Sequence, residues 1–505
     1  MKKKRLCIVL GAMAIVALIV YPAMAKQFMV AGKPLNLFGY VTQGVAFSMH
    51  DEDYYDTEEG LQSALFNLLL EGDYTFTDDL KFYGAGMLTV DWIYDIKHDD
   101  RSWNDKLFTE SRDTMCIDDE SWQLLKEAHF TYTPGDFFFR VGKQIVAWGE
   151  TDGFRLMDQI NPLDQRRGMA DVEFETTIIP IWLLRAEYFP GVSTSWLQDL
   201  GFEFIFNPNA DFIPNQMAMG NDVAGIWAPN IMVPLPPPPF GPGGEAHMGS
   251  ADMNIKEPDT WDSDGYEYGF RIKGIVNDAL ITLNYFNGLD NDPVTKMAAA
   301  PPDISVASDG TLIVHPKMEG YYSDFRFAGA TFSRDITPLK ASFLGGVAPV
   351  LRLEAFYGFD TTFSTSLNTY EKSDEFRWAI GIDWKVKIPF LNPRTYFGIS
   401  PQFYQRKILD YPSGYEFSNL EDDNNMTTLM ISTSYFHNKL VPSFFWMHDI
   451  TNEADMYKVQ LVYDYSYKWH YTLGALILNG EEPGKGFDVF ENKDQIYFKI
   501  SYKWG

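Results

Sequence analysis

The sequence predicts an all-β fold, a transmembrane antiparallel β-barrel of about eighteen strands with short turns on one rim and long loops on the other. Three observations point there: segments that alternate strictly between apolar and polar residues, joins that alternate in length, and an export signal on a chain with no later helical span.

The signal comes first along the chain. Lys2, Lys3, Lys4 and Arg5 precede an apolar run from Leu6 to Tyr21, and Ala23-Met24-Ala25 is an A-x-A cleavage pattern before Lys26. A charged start, a short apolar stretch and small residues at the cut make a secretory signal peptide, expected to be removed after Ala25. Cys7 lies inside that stretch, so the remaining chain, 26–505, carries Cys116 alone. One thiol makes no intrachain disulfide and no Cys-rich metal or iron–sulfur site.

Charge and composition narrow the partners. The full sequence carries −28, and loses four basic residues with the signal. Phosphate binding needs a positive surface, so nucleic acid is not an expected partner. Aromatic residues make up 16 % of the chain while mean hydropathy is −0.21, and no later apolar stretch is long enough for a membrane helix. A barrel reconciles these facts, because only every second residue of a strand meets lipid.

The clearest strand runs from Phe376 to Ile388. Phe376, Trp378, Ile380, Ile382 and Trp384 fall on one face, and Arg377, Ala379, Gly381, Asp383 and Lys385 on the other. Period two with two different solvents is the mark of a strand. The same pattern places strands near 35–48, 61–76, 80–94, 122–132, 137–147, 178–189, 200–206, 266–276 and 279–287. It continues near 321–333, 348–360, 376–388, 395–405, 425–436, 440–448, 455–465, 470–479 and 493–504. Thr77-Asp78-Asp79, Pro134-Gly135-Asp136, Asn277-Asp278 and His437-Asn438-Lys439 read as tight turns. Long acidic or Pro/Gly-rich loops at 95–121, 207–265 and 288–320 lie between them. An even strand number returns both ends to the periplasmic side; sixteen is the alternative count. Pro401 breaks one strand's ladder, and Leu476 and Leu478 fall on a nominally polar face.

The domain reading is one barrel over 26–505 with a Pro/Gly-rich loop at 207–265, whose stretch from Pro234 to Gly244 is expected to be polyproline-like or irregular. It would be a stiff cap over the mouth or a segment folded into the lumen. The final strand sets Ile496, Phe498, Ile500, Tyr502 and Trp504 against Tyr497, Lys499, Ser501 and Lys503. It resembles the C-terminal recognition signal of outer-membrane proteins, with Gly505 after the aromatic residue as a departure, and implies the barrel-assembly machinery as a partner beside outer-membrane lipid and lipopolysaccharide.

One stretch goes beyond barrel pattern. Arg140-Val141-Gly142-Lys143-Gln144, then Trp148-Gly149-Glu150, then Asn161-Pro162-Leu163-Asp164 resembles an R-x-G-[RK]-Q, W-G-E, N-P-x-D signature. That signature marks a family of outer-membrane barrel proteins of unknown function, widespread in proteobacteria. The resemblance implies porin-like members, some associated with handling hydrophobic compounds.

Alternation puts Arg140, Gly142 and Gln144 on the lumen face, where Gly142 would leave room for an approaching segment and Arg140 and Gln144 would donate to it. The stretch 151–167 is expected to fold inward and narrow the lumen, with Trp148, Glu150, Arg155, Asp158, Asn161, Asp164 and Arg166 as candidate constriction residues. The alternative is that they only lock a loop to the wall. Arg271, Lys273, Arg326, Arg352, Arg377 and Lys385 would line the lumen against Glu267, Glu354, Asp383 and Asp464, as a selective surface or as wall ion pairs.

Enzyme chemistry is not expected. His247-Met248-Gly249-Ser250 lacks the spacing of an H-x-S-x-G strand, and neighbours His448 and Asp449 point to opposite faces. The string Asp262-Ser263-Asp264-Gly265 lacks the first acid and the closing glutamate of a calcium loop. No cofactor is expected. The reading is therefore passive, solute-selective passage of small solutes across the outer membrane. A transporter of hydrophobic compounds and a plugged structural or adhesive barrel are the alternatives.

Overall fold

The computed structural model describes residues 26–50, 60–97, 115–151, 155–168, 172, 174–216, 231–235, 243–249, 251–306, 310, 312–341, 344–413, 417, 420–490 and 492–504. The expected signal peptide, the acidic stretch 51–59 and most of the proline run lie outside them.

Eighteen antiparallel strands form one closed ring. They are β1 Lys33–Ser48, β2 Leu65–Thr75, β3 Leu80–Asp91, β4 Leu125–Tyr132, β5 Phe137–Gln144 and β6 Ile181–Tyr188. Then come β7 Leu197–Asn207, β8 Glu267–Val276, β9 Ala279–Leu289, β10 Asp324–Asp335, β11 Val350–Ser364 and β12 Tyr370–Val386. The ring finishes with β13 Phe397–Ile408, β14 Asp423–Ser432, β15 Leu440–Asp449, β16 Ala454–Asp464, β17 Trp469–Gly480 and β18 Gln495–Trp504. Each strand pairs with its sequence neighbour, and β1 closes the ring on β18 from Gly39↔Trp504 to Ser48↔Gln495. Closure leaves no ladder edge unpaired around the wall.

Every expected strand is present, and the alternation sorts the wall into two faces. Phe130, Val141, Phe270, Ile272, Leu283, Leu461, Leu473 and Phe498 point outward and are exposed. Their registers set them side by side on that face: Phe130↔Val141, Ile272↔Leu283, Leu461↔Leu473 and Leu473↔Phe498. Glu203, Asn284, Thr331, Glu354, Gln402 and Lys499, from the same or neighbouring strands, are buried on the inner side. Among the described residues no helix is long and apolar enough to cross a membrane.

The expected loop alternation needs correction. The joins 365–369 and 450–453 on the loop-rich rim are short, whereas 336–349 on the opposite rim is long. Most of the stretch 361–375 is strand: after a register shift at Gly358/Thr361, β11 continues to Ser364 and β12 begins at Tyr370, with the turn 365–369 between. Pro401 stays within β13, and the β12–β13 ladder runs from Gly381↔Gln402 to Trp384↔Ile399 without a change of register. The interval spans the proline that lacks a donor.

The loops after β7 and β9 are not simply irregular. They share two small sheets, in which Glu245–Met248 runs parallel to Leu312–His315 and Asp252–Lys256 parallel to Lys317–Tyr321. The second is fastened to the rim by Tyr370, whose hydroxyl donates to the Glu319 carbonyl at 3.2 Å. The misfit leucines also find their reason. Leu476 and Leu478 turn inward and are covered, with Tyr497, by Phe487 and Phe490 of the last long loop.

Candidate functional site

The site is built where the chain leaves β5 and runs inside the ring to Ile179. Val146, Trp148, Leu156, Met157 and Ile160 form one buried cluster with inward residues of β6, β7 and β9–β12, including Leu183, Ile205, Phe286, Phe325, Phe327, Phe356 and Ala379. An apolar underside on a segment that crosses a mostly polar lumen is the reason it stays inside: its large side chains leave water only there. The wall makes room at Gly269, where a Cβ would lie 2.6 Å from the Trp148 ring.

Polar anchors fix the segment at three points. Asn161, fully enclosed, accepts from the Val146 N–H at 2.8 Å and donates to the carbonyls of Gln144 at 3.3 Å and Ile179 at 2.9 Å. Arg155 donates to the Asn161 carbonyl at 2.7 Å. Asp158 accepts the N–H groups of Trp148 at 2.6 Å and Gly149 at 2.8 Å, which folds the W-G-E turn onto the N-P-x-D side. The third anchor is the far wall. Glu354 accepts from the N–H groups of Glu150 and Thr151, and Arg352 donates to the Glu150 carbonyl while gripping Asp383 at 2.8 Å.

Arg166 and Asp164 close the segment's other end. Arg166 binds Asp164 at 2.7 Å and Asp118 at 2.5 Å, and stacks over Trp122 at 4.9 Å. Burial alone would raise the Asp164 carboxyl, but the hydrogen bonds and charge of Arg166 hold it below the ordinary carboxylate range. The same carboxylates push the guanidinium upward against its own desolvation. Burial pushes Arg155 down.

The placements correct several expectations. Arg140 donates to Thr131 on the neighbouring strand at 3.2 Å, and Gln144 to the Leu183 carbonyl at 3.0 Å, so both brace the wall rather than the segment. Gly142 leaves room for β4, not for the segment: at φ +132° its Cβ would lie 2.2 Å from the Ala128 carbonyl oxygen. Trp148 and Arg166 are sealed rather than presented to a bore. Arg326 lies on the face opposite inward Phe325 and Phe327 and pairs with exposed Asp360 at 2.7 Å.

Several of the other lumen charges are brought together, whereas Asp464 pairs with His470 at 2.5 Å and Lys385 is exposed. Lys273 pairs with Glu187 at 2.6 Å, and Arg185 bridges Glu187 at 2.8 Å and Glu203 at 3.3 Å. Arg271 donates to the Ala147 carbonyl at 3.3 Å, and Trp148 donates to Glu203 at 3.0 Å. Arg377 forks onto buried Glu375 at 2.7 and 3.0 Å, and Arg406 joins the same carboxylate at 2.6 Å. Glu187, Glu203, Glu375 and Arg406 were not singled out from the sequence. Their signal was present, since Glu203 alternates with Phe202 and Phe204, and Glu375 precedes Arg377 on one face. Lys143, also missed, is buried and donates to the carbonyls of Trp122 and Leu125 at 3.2 and 2.7 Å.

Two of the enzyme-like or metal-like strings make hairpin and turn contacts, and Ser250 of the His247 string lies outside the described residues. His448 turns to Asp455 at 3.0 Å across the hairpin, while Asp449 caps the turn at Thr451 and Asn452. The Asp262 carboxylate accepts from the Asp264 N–H at 3.1 Å in a short turn. Among the described residues no cluster of three metal-ligating side chains occurs.

A family model described as "Protein of unknown function (DUF1302)" matches residues 6–504. The chain matches no curated protein. Among solved structures it is similar to a BenF-like porin from Pseudomonas fluorescens Pf-5, at 10 % identity and TM-score 0.48, covering 94 % of this chain and 100 % of that one. It is also similar to Acinetobacter baumannii OccAB3, at 8 % identity and TM-score 0.45, covering 93 % and 99 %. A third is Pseudomonas aeruginosa OccK2 (OpdF) in complex with glucuronate, at 8 % identity and TM-score 0.43, covering 93 % and 98 %.

Proposed function

The chain belongs to the DUF1302 family of proteins of unknown function, and from that premise we propose that it is a porin-like channel of the outer membrane. It carries small solutes passively, with its bore narrowed by the segment 145–168. The observation that carries this reading is the two-faced wall: an exposed belt of Phe270, Ile272, Leu283, Leu461, Leu473 and Phe498 outside, and Glu203, Thr331, Glu354 and Lys499 inside. Only a medium that is greasy on one side and wet on the other rewards that arrangement in a closed ring. A barrel of this strand number is wide enough for an aqueous channel once its inward segment is accommodated.

The inward segment acts as a fixed sleeve rather than a gate, because buried hydrogen bonds hold it at both ends and on the far wall. Solute passes without covalent chemistry or a cofactor. In the cell the signal peptide is removed after Ala25, the assembly machinery receives the β18 end, and lipid with lipopolysaccharide surrounds the belt.

A second reading rests on Phe286, Phe325, Phe327 and Phe356, which form an apolar inner wall beneath the segment. If the segment lifts, that wall offers a route for hydrophobic compounds. Liposome swelling decides between the two. Proteoliposomes of the full chain that swell in small sugars and organic acids support a polar channel. Swelling-inactive vesicles that take up a hydrocarbon probe support the second reading and overturn the first.

A further inference from the structure

A cavity of about 620 Å³ opens where the inward segment meets the loop-side ends of β10–β13. Gln159 of the segment, Asp290 and Asp292 of the loop after β9, and Arg377 and Arg406 of β12 and β13 all line it. Phe325, Phe363, Met297 and Met318 supply apolar surface between them.

The charges are arranged in an unusual way for a wall network. Arg377 and Arg406 share the single buried carboxylate of Glu375. Two cations on one anion leave that pole with one net positive charge, and both guanidinium groups reach the cavity. Asp290 and Asp292 reach the same space, yet no ion pair joins either of them to Arg377 or Arg406 among the described residues. Asp290 accepts from the Asp292 N–H at 3.0 Å, and Asp292 accepts from Asn215 at 2.9 Å. Lys296, also on the lining, is turned to Glu319 at 3.3 Å. Opposite poles therefore face one room without a direct ion pair between them among the described residues, with apolar side chains between.

Resting on the channel reading, we propose that this cavity is a binding site for small zwitterionic solutes, in which Arg406 and Arg377 take a carboxylate and Asp292 takes an ammonium group. A solute with only one of those charges leaves the other pole unpaired in a confined space, where desolvated polar groups are costly. A guanidinium pair suits a planar carboxylate because it offers parallel N–H donors. The aromatic and thioether surfaces fit a methylene spacer. The site would make the channel selective by retention at the mouth rather than by bore width alone.

The test uses the folded full-length protein and three probes of equal chain length: 6-aminohexanoate, hexanoate and hexylamine. Equilibrium dialysis measures binding, and planar-bilayer current is recorded on the same preparation. Binding of 6-aminohexanoate at least tenfold tighter than of either monopolar probe is expected. Arg406→Gln should remove its advantage over hexylamine, and Asp292→Asn its advantage over hexanoate. Asp292 is exposed, so its variant keeps the test open if Arg406→Gln fails to fold. Equal affinities for the three probes, or wild-type discrimination in the folded Asp292→Asn protein, would overturn the proposal. Current without discrimination overturns the site and leaves the channel; discrimination without current does the reverse.

Discussion

Trp148 and Glu203, 55 residues apart in sequence, are joined inside the ring: the indole N–H donates to the carboxylate at 3.0 Å with both side chains buried. That bond ties the inward segment to β7, and the ring itself sits in the apolar cluster beneath it. Trp148→Ala removes both and should lower stability by about 3–5 kcal/mol, as for other buried tryptophans. Trp148→Phe keeps most of the packing and leaves Glu203 with Arg185, so the cost should be about 1–3 kcal/mol. Thermal unfolding of the detergent-folded protein measures both, and equal losses would show that packing contributes nothing.

Asn161 is the clasp of the segment. Asn161→Ala leaves the Val146 N–H and the Ile179 carbonyl buried without their partner. Each orphaned group costs about 1–3 kcal/mol where water does not replace it. The ring should remain closed while the segment loosens. Limited proteolysis should therefore cut within 145–168 in the variant and spare the wild type.

Removing Arg166 strands Asp164 in a sealed site and leaves Asp118 with the longer contact to Arg167 at 3.5 Å. Breaking a buried ion pair from one side costs about 3–5 kcal/mol. Arg166→Met should show that loss, and Arg166→Met combined with Asp118→Asn and Asp164→Asn should recover a substantial part of it. Equal stabilities of the single and triple variants, by urea titration, would contradict the assignment.

Asp290 gives a pH signature. Burial, with the charge of Asp292 added, pushes its carboxyl up to about 7, whereas an unfolded aspartate titrates near ~4. A group that holds its proton to higher pH when folded favours the fold fully below the unfolded value, and loses that contribution as pH rises through about 7. The melting temperature of the wild type should carry a downward component over that window, and Asp290→Asn should weaken it. Ionisation also adds a negative charge at the mouth, so cation preference should rise through the same window in the wild type only.

The wall was legible in the sequence because alternation is a local signal. Residues 376–384 announce both faces of β12 without reference to any other strand, and the Asn277-Asp278 turn carries positive φ at both residues as its chemistry demands. The contents of the ring were less legible. Alternation shows that Leu476 points inward but not that Phe487 and Phe490 fold over it, since that depends on a loop returning from elsewhere. In the stretch 140–164 the residue pattern points Arg140 and Gln144 at partners other than those the fold supplies. Arg140 and Gln144 serve the wall, while Asn161 and Asp158 do the fastening, because hydrogen-bond direction is fixed in three dimensions. Gly142 reads as open space in one dimension and is filled by β4 in three.

Single-channel recording of the purified full-length chain in a planar bilayer tests the central claim most directly. Steady, ohmic current through the wild type, favouring cations, is expected, with a larger, noisier conductance for Asn161→Ala as its sleeve loosens. Silent bilayers in which folded protein is demonstrably inserted, for the wild type and Asn161→Ala alike, would contradict it.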